Sequence, residues 1–209
     1  MGYRRFTLSA TGPQTELEQH PEERPRRADA RRNYDRLLRA AAEVFTAEGA
    51  EASLDEIAKR AGVGIGTLYR HFPTRQCLLE AVFLDQVDDL RAAALVLVAD
   101  PEPVDAFARW LRAHIDHGRK GRSLGASVMA AKMEEGSEVN TACTAMIDAG
   151  QALLTRAQAA GQIRPDVQLR DVLKMVHGIV LVTEGTDDGN KRAQRMLDLL
   201  IGGVRRSPS

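Results

Sequence analysis

The chain has very few of the residues that stabilise small secreted or β-rich proteins. Of its 209 residues only two are cysteine, and only 4% are aromatic. Two cysteines do not make a disulfide framework, and Cys77 and Cys143 both fall inside helical patterns, as small buried residues do in a reducing compartment. Alternation of apolar and polar residues never extends beyond a few positions, so the sequence predicts an all-α protein.

Long apolar runs and targeting signals are also absent. No run approaches the roughly 18 residues of a transmembrane helix, and the first residues lack the apolar segment of a signal peptide. We therefore expect a cytoplasmic protein with no membrane partner. Residues 1–25 contain three prolines and few periodic apolar residues, which predicts a disordered extension.

Metal-protease, nucleotide-binding and redox signatures are missing too, since the chain has no H-E-x-x-H, P-loop or CxxC string. His114 and His117 lie three residues apart on one predicted helix, with Glu134 and Glu135 further along. A metal site is conceivable there, but no third ligand stands at a fixed spacing, and such histidines more often line a pocket or face solvent. We predict no enzymatic activity, no metal and no cofactor.

One segment, residues 53–72, predicts two short helices joined by a glycine-containing turn. Ser53 is a typical N-cap, and Glu56 three residues later completes a capping box. The first helix carries one apolar stripe and ends at Gly62, where a left-handed residue is favoured after a helix. This is a helix-turn-helix pattern.

The second helix of this pattern begins near Gly64 and turns only one face toward the protein. Leu68 and Phe72 lie four residues apart and anchor that face in a small core. The other faces suit a helix in the major groove of DNA, with base-reading groups at its centre and phosphate-binding groups on its flanks. The candidate DNA-binding residues are Ser53, Gly64, Ile65, Gly66, Thr67, Tyr69, Arg70, His71 and Arg75.

Individual roles follow from angular position, at about 100° per residue along a helix. Arg70 lies opposite the anchoring face and Thr67 beside it, so both are placed to reach base edges. Tyr69 and His71 occupy the flanks, where phosphates are expected. Ile65 is ambiguous, because its angle favours the core while its place in the first turn favours the groove.

The distribution of charge along the chain agrees with DNA binding by the N-terminal part. The formal net charge is zero, yet residues 24–75 contain eleven Arg and Lys against seven Asp and Glu. Such a local excess favours phosphate binding. Arginines at positions 24, 26, 27, 31 and 32 lead into a helix predicted from about Arg31 to Glu48, with Tyr34 on its buried stripe. These arginines could form a flexible arm along a minor groove, or a solvated tail.

The string SLDEIAKRAGVGIGTLYRHFPTRQCLLEAV, together with the helix before it, resembles the DNA-binding segment of TetR-family transcriptional regulators. The resemblance implies binding to a double-stranded DNA operator. It also implies an unknown small-molecule effector that binds in the C-terminal part. Gly64 departs from the family pattern, which often has a serine or threonine there that caps the helix and touches phosphate.

The rest of the chain predicts a second helical domain. A long helix from Thr74 to about Val98 would join a helix-turn-helix domain of residues 26–83 to a ligand-binding and dimerisation domain of residues 84–209. The helix predicted over 169–183 is apolar almost all round, and it has more apolar surface than one subunit can cover. We assign the excess to a homodimer.

Several side chains of the second domain could line a ligand cavity or simply form its core. Thioethers, a thiol and one large ring suit an adaptable apolar pocket, and histidines could serve as polar handles. The resemblance favours the pocket, because TetR-like regulators generally sense a ligand in this domain. The candidate ligand-binding residues are Phe107, Trp110, His114, Met129, Met133, Cys143, Met146 and His177.

The sequence thus predicts a homodimeric, ligand-responsive DNA-binding regulator, a repressor that an inducer releases from a palindromic operator. Two other functions fit less well. An all-helical enzyme or carrier with an incidental helix-turn-helix lacks a matched catalytic cluster. An interaction protein that never touches DNA does not explain why Thr67, Tyr69, Arg70 and His71 are grouped outside a two-residue anchor.

Overall fold

The computed structural model describes residues 23–120, 128, 136–183 and 188–206, and these residues are helical almost throughout. An isolated antiparallel bridge joins Ile163 to Arg205. The all-α prediction is confirmed. The helices are α1 (Glu23–Glu48), α2 (Leu54–Arg60), α3 (Ile65–His71), α4 (Arg75–Leu97), α5 (Pro103–Lys120), α6 (Glu138–Ala159), α7 (Leu169–Val182) and α8 (Gly189–Val204).

The first hydrophobic core is built mainly by α1, α2, α3 and the start of α4, and Val139 of α6 is also buried in it. The Ser53 hydroxyl accepts a hydrogen bond from the backbone N–H of Glu56 at 3.4 Å, so α2 begins at its predicted cap. The Glu56 carboxylate lies 3.5 Å from Arg60 instead of completing the capping box. Gly62 follows α2 with a φ of +67°. Among the side chains buried in this core are Leu37, Phe45, Ile57, Leu68, Phe72 and Leu79.

The first helix is longer than predicted, because α1 begins at Glu23 and not near Arg31. Pro25 falls in the first turn, where its missing N–H would have no partner within the helix. The arginines ahead of the predicted start are therefore helical, and the flexible-arm interpretation is wrong for them. The predicted disordered extension loses residues 23–25 to α1, and its remainder lies outside the described residues.

The helix α4 belongs to two hydrophobic cores. The Thr74 hydroxyl caps it by accepting from the backbone N–H of Cys77 at 3.1 Å. The N-terminal half of α4 packs in the first core, and from Val87 onward it packs in the second. Phe83 contacts both. Cys77, predicted to be buried, is exposed because it lies on the outer side of the first turn.

The second core is organised around one tryptophan. Trp110 of α5 is fully buried, and its indole N–H donates to the carbonyl of Leu90 in α4 at 3.0 Å. Gly150 of α6 faces the ring so closely that a β-carbon there would lie 2.2 Å from Cη2. The tryptophan therefore fixes the relative positions of three helices, and α6 needs a glycine opposite it.

The helices α5 and α7 run side by side in the same direction. A β-carbon added at Gly118 would lie 3.1 Å from Cγ2 of Val180, so the two backbones approach closely at this level. One residue further on, the Arg119 guanidinium donates to the carbonyl and the hydroxyl of Thr183 at 3.1 and 3.0 Å. This bond ties the end of α5 to the end of α7.

Replacing Gly150 by alanine should destabilise the second core, because the added methyl group would overlap the Trp110 ring. Overpacking of this kind typically lowers the free energy of unfolding by about 1–3 kcal/mol. Urea denaturation followed by circular dichroism measures the loss. Gly66→Ala is the matched control, since Gly66 is also helical but has no atom within 4 Å of the place a β-carbon would occupy. The control should be as stable as the wild type or more so. Equal midpoints for Gly150→Ala and the wild type would contradict this packing.

Candidate nucleic-acid interface

The short helix α3 is anchored on one side and open on the others. Leu68 is fully buried, and Phe72, the residue that ends the helix, is buried beside it. Tyr69 is 48% exposed, Arg70 is exposed, and Thr67 is half-buried. The anchor and the outward face therefore lie where the sequence predicts them, and the outward face carries hydrogen-bonding and cationic groups.

At the start of α3 the backbone is accessible to a binding partner. Gly64 is the N-cap and makes no side-chain cap hydrogen bond. Gly64 and Gly66 are exposed, and neither has an atom within 4 Å of the position of a β-carbon. Ile65 between them is half-buried and packs against the first core, so its side chain is used mainly for folding.

His71, at the end of α3, contacts the first helix. Its ring centroid lies 6.0 Å from that of Tyr34, in an edge-on arrangement. Tyr34 also lies 5.1 Å from Phe72 and keeps 36% of its surface exposed, although its spacing in α1 predicts burial. Because this contact joins residues far apart in sequence, helical periodicity could not reveal Tyr34 as a neighbour of the interface.

Two other predicted DNA contacts are engaged within the protein. The Arg75 guanidinium donates to the backbone carbonyls of Ala50 and Ala52 at 2.9 and 2.5 Å. Ser53 caps α2 with its hydroxyl. The Arg75 bonds hold the loop between α1 and α2 against the start of α4, and the Ser53 bond fixes where α2 begins.

The predicted effector-binding residues lie mostly inside the second core. Phe107 and Trp110 are fully buried, and Met146 is nearly so. Cys143 is half-buried and packs against both cores, so it lies at the junction between them. Met129 and Met133 lie outside the described residues.

The two predicted polar handles, His114 and His177, meet between α5 and α7. Their Nε2 atoms are 3.4 Å apart. Burial lowers the pKa of His114 to about 3, with His177 and His117 adding to the shift, and partial burial also lowers the pKa of His177. Both rings are therefore uncharged at neutral pH, and one can donate its Nε2–H to the other. Nδ1 of His114 is buried and has no hydrogen-bond partner among the described residues.

Three further observations bear on other classes of function. Within the described ranges, no group of three or more His, Cys, Asp and Glu side chains is arranged to hold a metal ion. None of the described helices is long and apolar enough to cross a membrane. The sequence contains one G-x-S-x-G string, at 121–125, outside the described residues. A nucleophile elbow needs a strand before the serine, whereas the described residues that lead up to this string belong to the helix α5.

Two protein-family models match this chain. Residues 37–82 match the bacterial regulatory proteins of the tetR family, and residues 102–206 match the SbtR-like C-terminal domain of transcriptional regulators. The first match contains the helix-turn-helix, and the second contains α5 to α8.

Known proteins are similar over most of the chain. The crystal structure of the TetR transcriptional regulator SCO0520 from Streptomyces coelicolor has a TM-score of 0.70 and 36% identity, covering 83% of this chain and 99% of that one. The HTH-type transcriptional regulator UidR of Escherichia coli (strain K12) is 25% identical over 190 residues, which are 84% of this chain and 94% of that protein. The regulator FadR from Bacillus subtilis, solved in complex with stearoyl-CoA, shares the fold with a TM-score of 0.57 and 20% identity, over 82% of this chain and 99% of its own.

The resemblance found in the sequence is thereby confirmed on independent grounds. Both halves of the chain match regulators, and the enzyme alternative does not hold because the matched family consists of transcription regulators. This chain belongs to the TetR family of DNA-binding transcriptional regulators, with a TetR helix-turn-helix followed by an SbtR-like C-terminal domain.

Proposed function

We propose that this regulator is a homodimeric repressor that binds a palindromic operator in the cytoplasm and leaves it when a small molecule binds the C-terminal domain. The observation that carries the DNA-reading part is the geometry of α3. Two buried residues anchor it, and the polar side chains of Thr67, Tyr69 and Arg70 remain on its open faces. A helix held in this way can enter a major groove without disturbing the core.

Within this interface, Arg70 and Thr67 contact base edges, and Tyr69 and His71 contact phosphates on the groove walls. Gly66 lets the backbone approach the DNA closely, because it carries no side chain at this exposed edge. Arg75 and Ser53 contribute by positioning, since their side chains hold the loop before α2.

Dimerisation is assigned to α7 and α8. These helices expose large apolar side chains, among them Leu181 at 63% and Leu199 at 74% exposure. The exposed glycines Gly178 and Gly202 have open space around them, which allows two helices to approach closely. Exposed apolar surface of this kind marks a protein interface, and a two-fold dimer presents two α3 helices to successive major grooves.

The effector is proposed to bind near His114. The ring is buried and uncharged, and its Nδ1, which has no partner among the described residues, can donate a hydrogen bond to a ligand or accept one from it according to the tautomer. The surrounding side chains Phe107, Trp110 and Met146 are apolar, so the molecule should be largely apolar with one hydrogen-bonding group. FadR of Bacillus subtilis, which shares this fold, was solved with stearoyl-CoA, a ligand with a long apolar chain.

We expect the signal that releases DNA to pass through the residues that pack against both cores. Phe83 in α4 and Cys143 in α6 touch the first and the second core, so a shift of the second core moves α4 and with it α3. Coupling between two such sites is typically about 1–3 kcal/mol, and it is reciprocal. An inducer that binds the non-DNA-binding arrangement more tightly must therefore bind less tightly when DNA is present.

The decisive experiment selects bound duplexes from a random-sequence pool with the purified protein. A site with two inverted half-sites should be enriched, and repeating the selection with pooled metabolites should identify a fraction that releases it. Failure to enrich any sequence would contradict the proposal of a specific operator. Enrichment of a single asymmetric half-site would contradict the dimer.

Arg70→Ala should relax the sequence preference at particular operator positions. Loss of a good bidentate contact to a base costs about 1–3 kcal/mol against the preferred base and less against others. Tyr69→Phe is the comparison, since it removes one phosphate hydrogen bond and should weaken binding to all sequences equally. Affinities are measured by fluorescence anisotropy on single-base variants of the selected site. If Arg70→Ala lowers the affinity for all operator variants by the same factor, Arg70 contacts a phosphate and not a base.

Gly64→Ser should strengthen both α3 and DNA binding. The backbone at Gly64 has φ −74° and ψ 151°, which serine adopts without strain, and its hydroxyl could cap the helix. Serine is better than glycine at an N-cap by only a few tenths of a kcal/mol, so the unfolding midpoint should rise slightly. The added hydroxyl should also improve operator affinity by donating to a phosphate. Gly64→Ala adds the β-carbon alone, and it should give neither gain.

Leu181→Glu should convert the dimer into a 22.9 kDa monomer with weak operator affinity. A charge at this position would be buried without a partner in the interface. Sedimentation velocity measures the mass. Leu95→Glu makes the same change at a similarly exposed apolar residue of α4, away from α7 and α8, and should leave the dimer intact. A Leu181→Glu protein that still sediments as a dimer would place the interface elsewhere.

A further inference from the structure

The N-terminal half of α1 extends beyond the first core. Every described side chain from Ala28 to Arg36 is exposed, apart from the half-buried Asn33, and the first buried residue of the helix is Leu37. We call residues 23–36 the α1 extension. At 1.5 Å per residue it is about 21 Å long. Over residues 28–36, where side chains are described, only Tyr34 packs on a residue of the first core, so burial explains little of why this segment is helical.

The α1 extension is strongly basic. It contains six arginines against one glutamate and two aspartates. Arg32 pairs with Asp29, and Arg36 donates to Asn33, so part of the charge is balanced within the helix. Six arginines against three carboxylates leave the α1 extension with a formal charge of +3, and this excess of positive charge along one short helix is self-repelling. An isolated helix of this length is marginal in water, and a polyanion beside it would both relieve the repulsion and favour the helix.

The α1 extension leaves the protein beside the proposed DNA-reading helix. Tyr34 lies against His71 and Phe72 at the end of α3. The Arg36 guanidinium lies 3.5 Å from the position of a β-carbon on Gly62, in the turn between α2 and α3. The basic helix is therefore attached at the edge of the helix-turn-helix.

We infer that the α1 extension binds the phosphate backbone of the duplex that flanks each half-site. The inference rests on the proposed operator binding, and it enlarges the contacted DNA. A helix of about 21 Å spans about six base pairs at 3.4 Å per step. Arginine contacts to phosphate position a protein without reading sequence, so the flanking DNA is bound whatever its bases.

The test uses the duplex selected by the wild-type protein, prepared with ten flanking base pairs on each side and with none. The variant is Arg27→Ala with Arg31→Ala. Alanine forms helices at least as well as arginine, so α1 should be retained, and circular dichroism verifies this. The matched control is Arg164→Ala with Arg206→Ala, which removes the same charge at exposed positions before α7 and after α8.

On the long duplex, the slope of log affinity against log salt should become shallower in the variant by about 0.9 for each phosphate that the arginines no longer neutralise. The control should keep the wild-type slope. Trimming the flanks should weaken the wild-type protein and the control, and it should weaken the variant by a smaller factor.

Two results would overturn this inference alone: a variant with the wild-type slope on the long duplex, or specific binding by the wild-type protein that is indifferent to trimming. A wild-type protein that selects no duplex at all would overturn the proposed operator binding, and this inference with it.

Discussion

The arrangement depends on one uninterrupted helix that lies in two hydrophobic cores. α4 starts beside α3, where Thr74 caps it, and ends in the second core after 23 residues. Phe83 contacts both cores from α4, and Cys143 does so from α6. Because close-packed interiors transmit displacement and do not absorb it, the two halves of the chain cannot shift independently. The position of α3 is therefore set partly by packing in the second core.

In the second core, the relative positions of the helices are set more by the close fit of side chains than by polar contacts. The Trp110 indole bonds to α4 and presses against Gly150 of α6, so neither neighbouring helix can move along α5 without breaking a hydrogen bond or creating a clash. Polar groups enter mainly at the edge next to α7, where His114 and His177 meet as uncharged rings. The proposed effector site and a rigid frame around it thus lie within one turn of α5.

Local sequence predicts the helix-turn-helix well because its limits are set by single residues. Ser53 and Thr74 cap their helices as predicted, and Gly62 adopts the left-handed conformation. Features that depend on contacts between residues far apart in the sequence cannot be predicted from local sequence. The exposure of Tyr34 and the inward bonds of Arg75 are tertiary effects, and His114 and His177 are 63 residues apart in the chain. The early start of α1 has no apolar periodicity to reveal it, although a proline is tolerated in a first turn.

The parallel contact between α5 and α7 would give the proposed effector a second route to the DNA. Gly118 packs directly against Val180, and the Arg119 guanidinium donates a hydrogen bond to the backbone carbonyl of Thr183 at the end of α7. Any ligand that pushes α5 outward must carry α7 with it. In the proposed dimer α7 faces the other subunit, so a tilt of α7 changes the angle at which two subunits meet. The distance between the two reading helices would then change even where each helix-turn-helix keeps its internal shape, and the pair would no longer match the pitch of DNA.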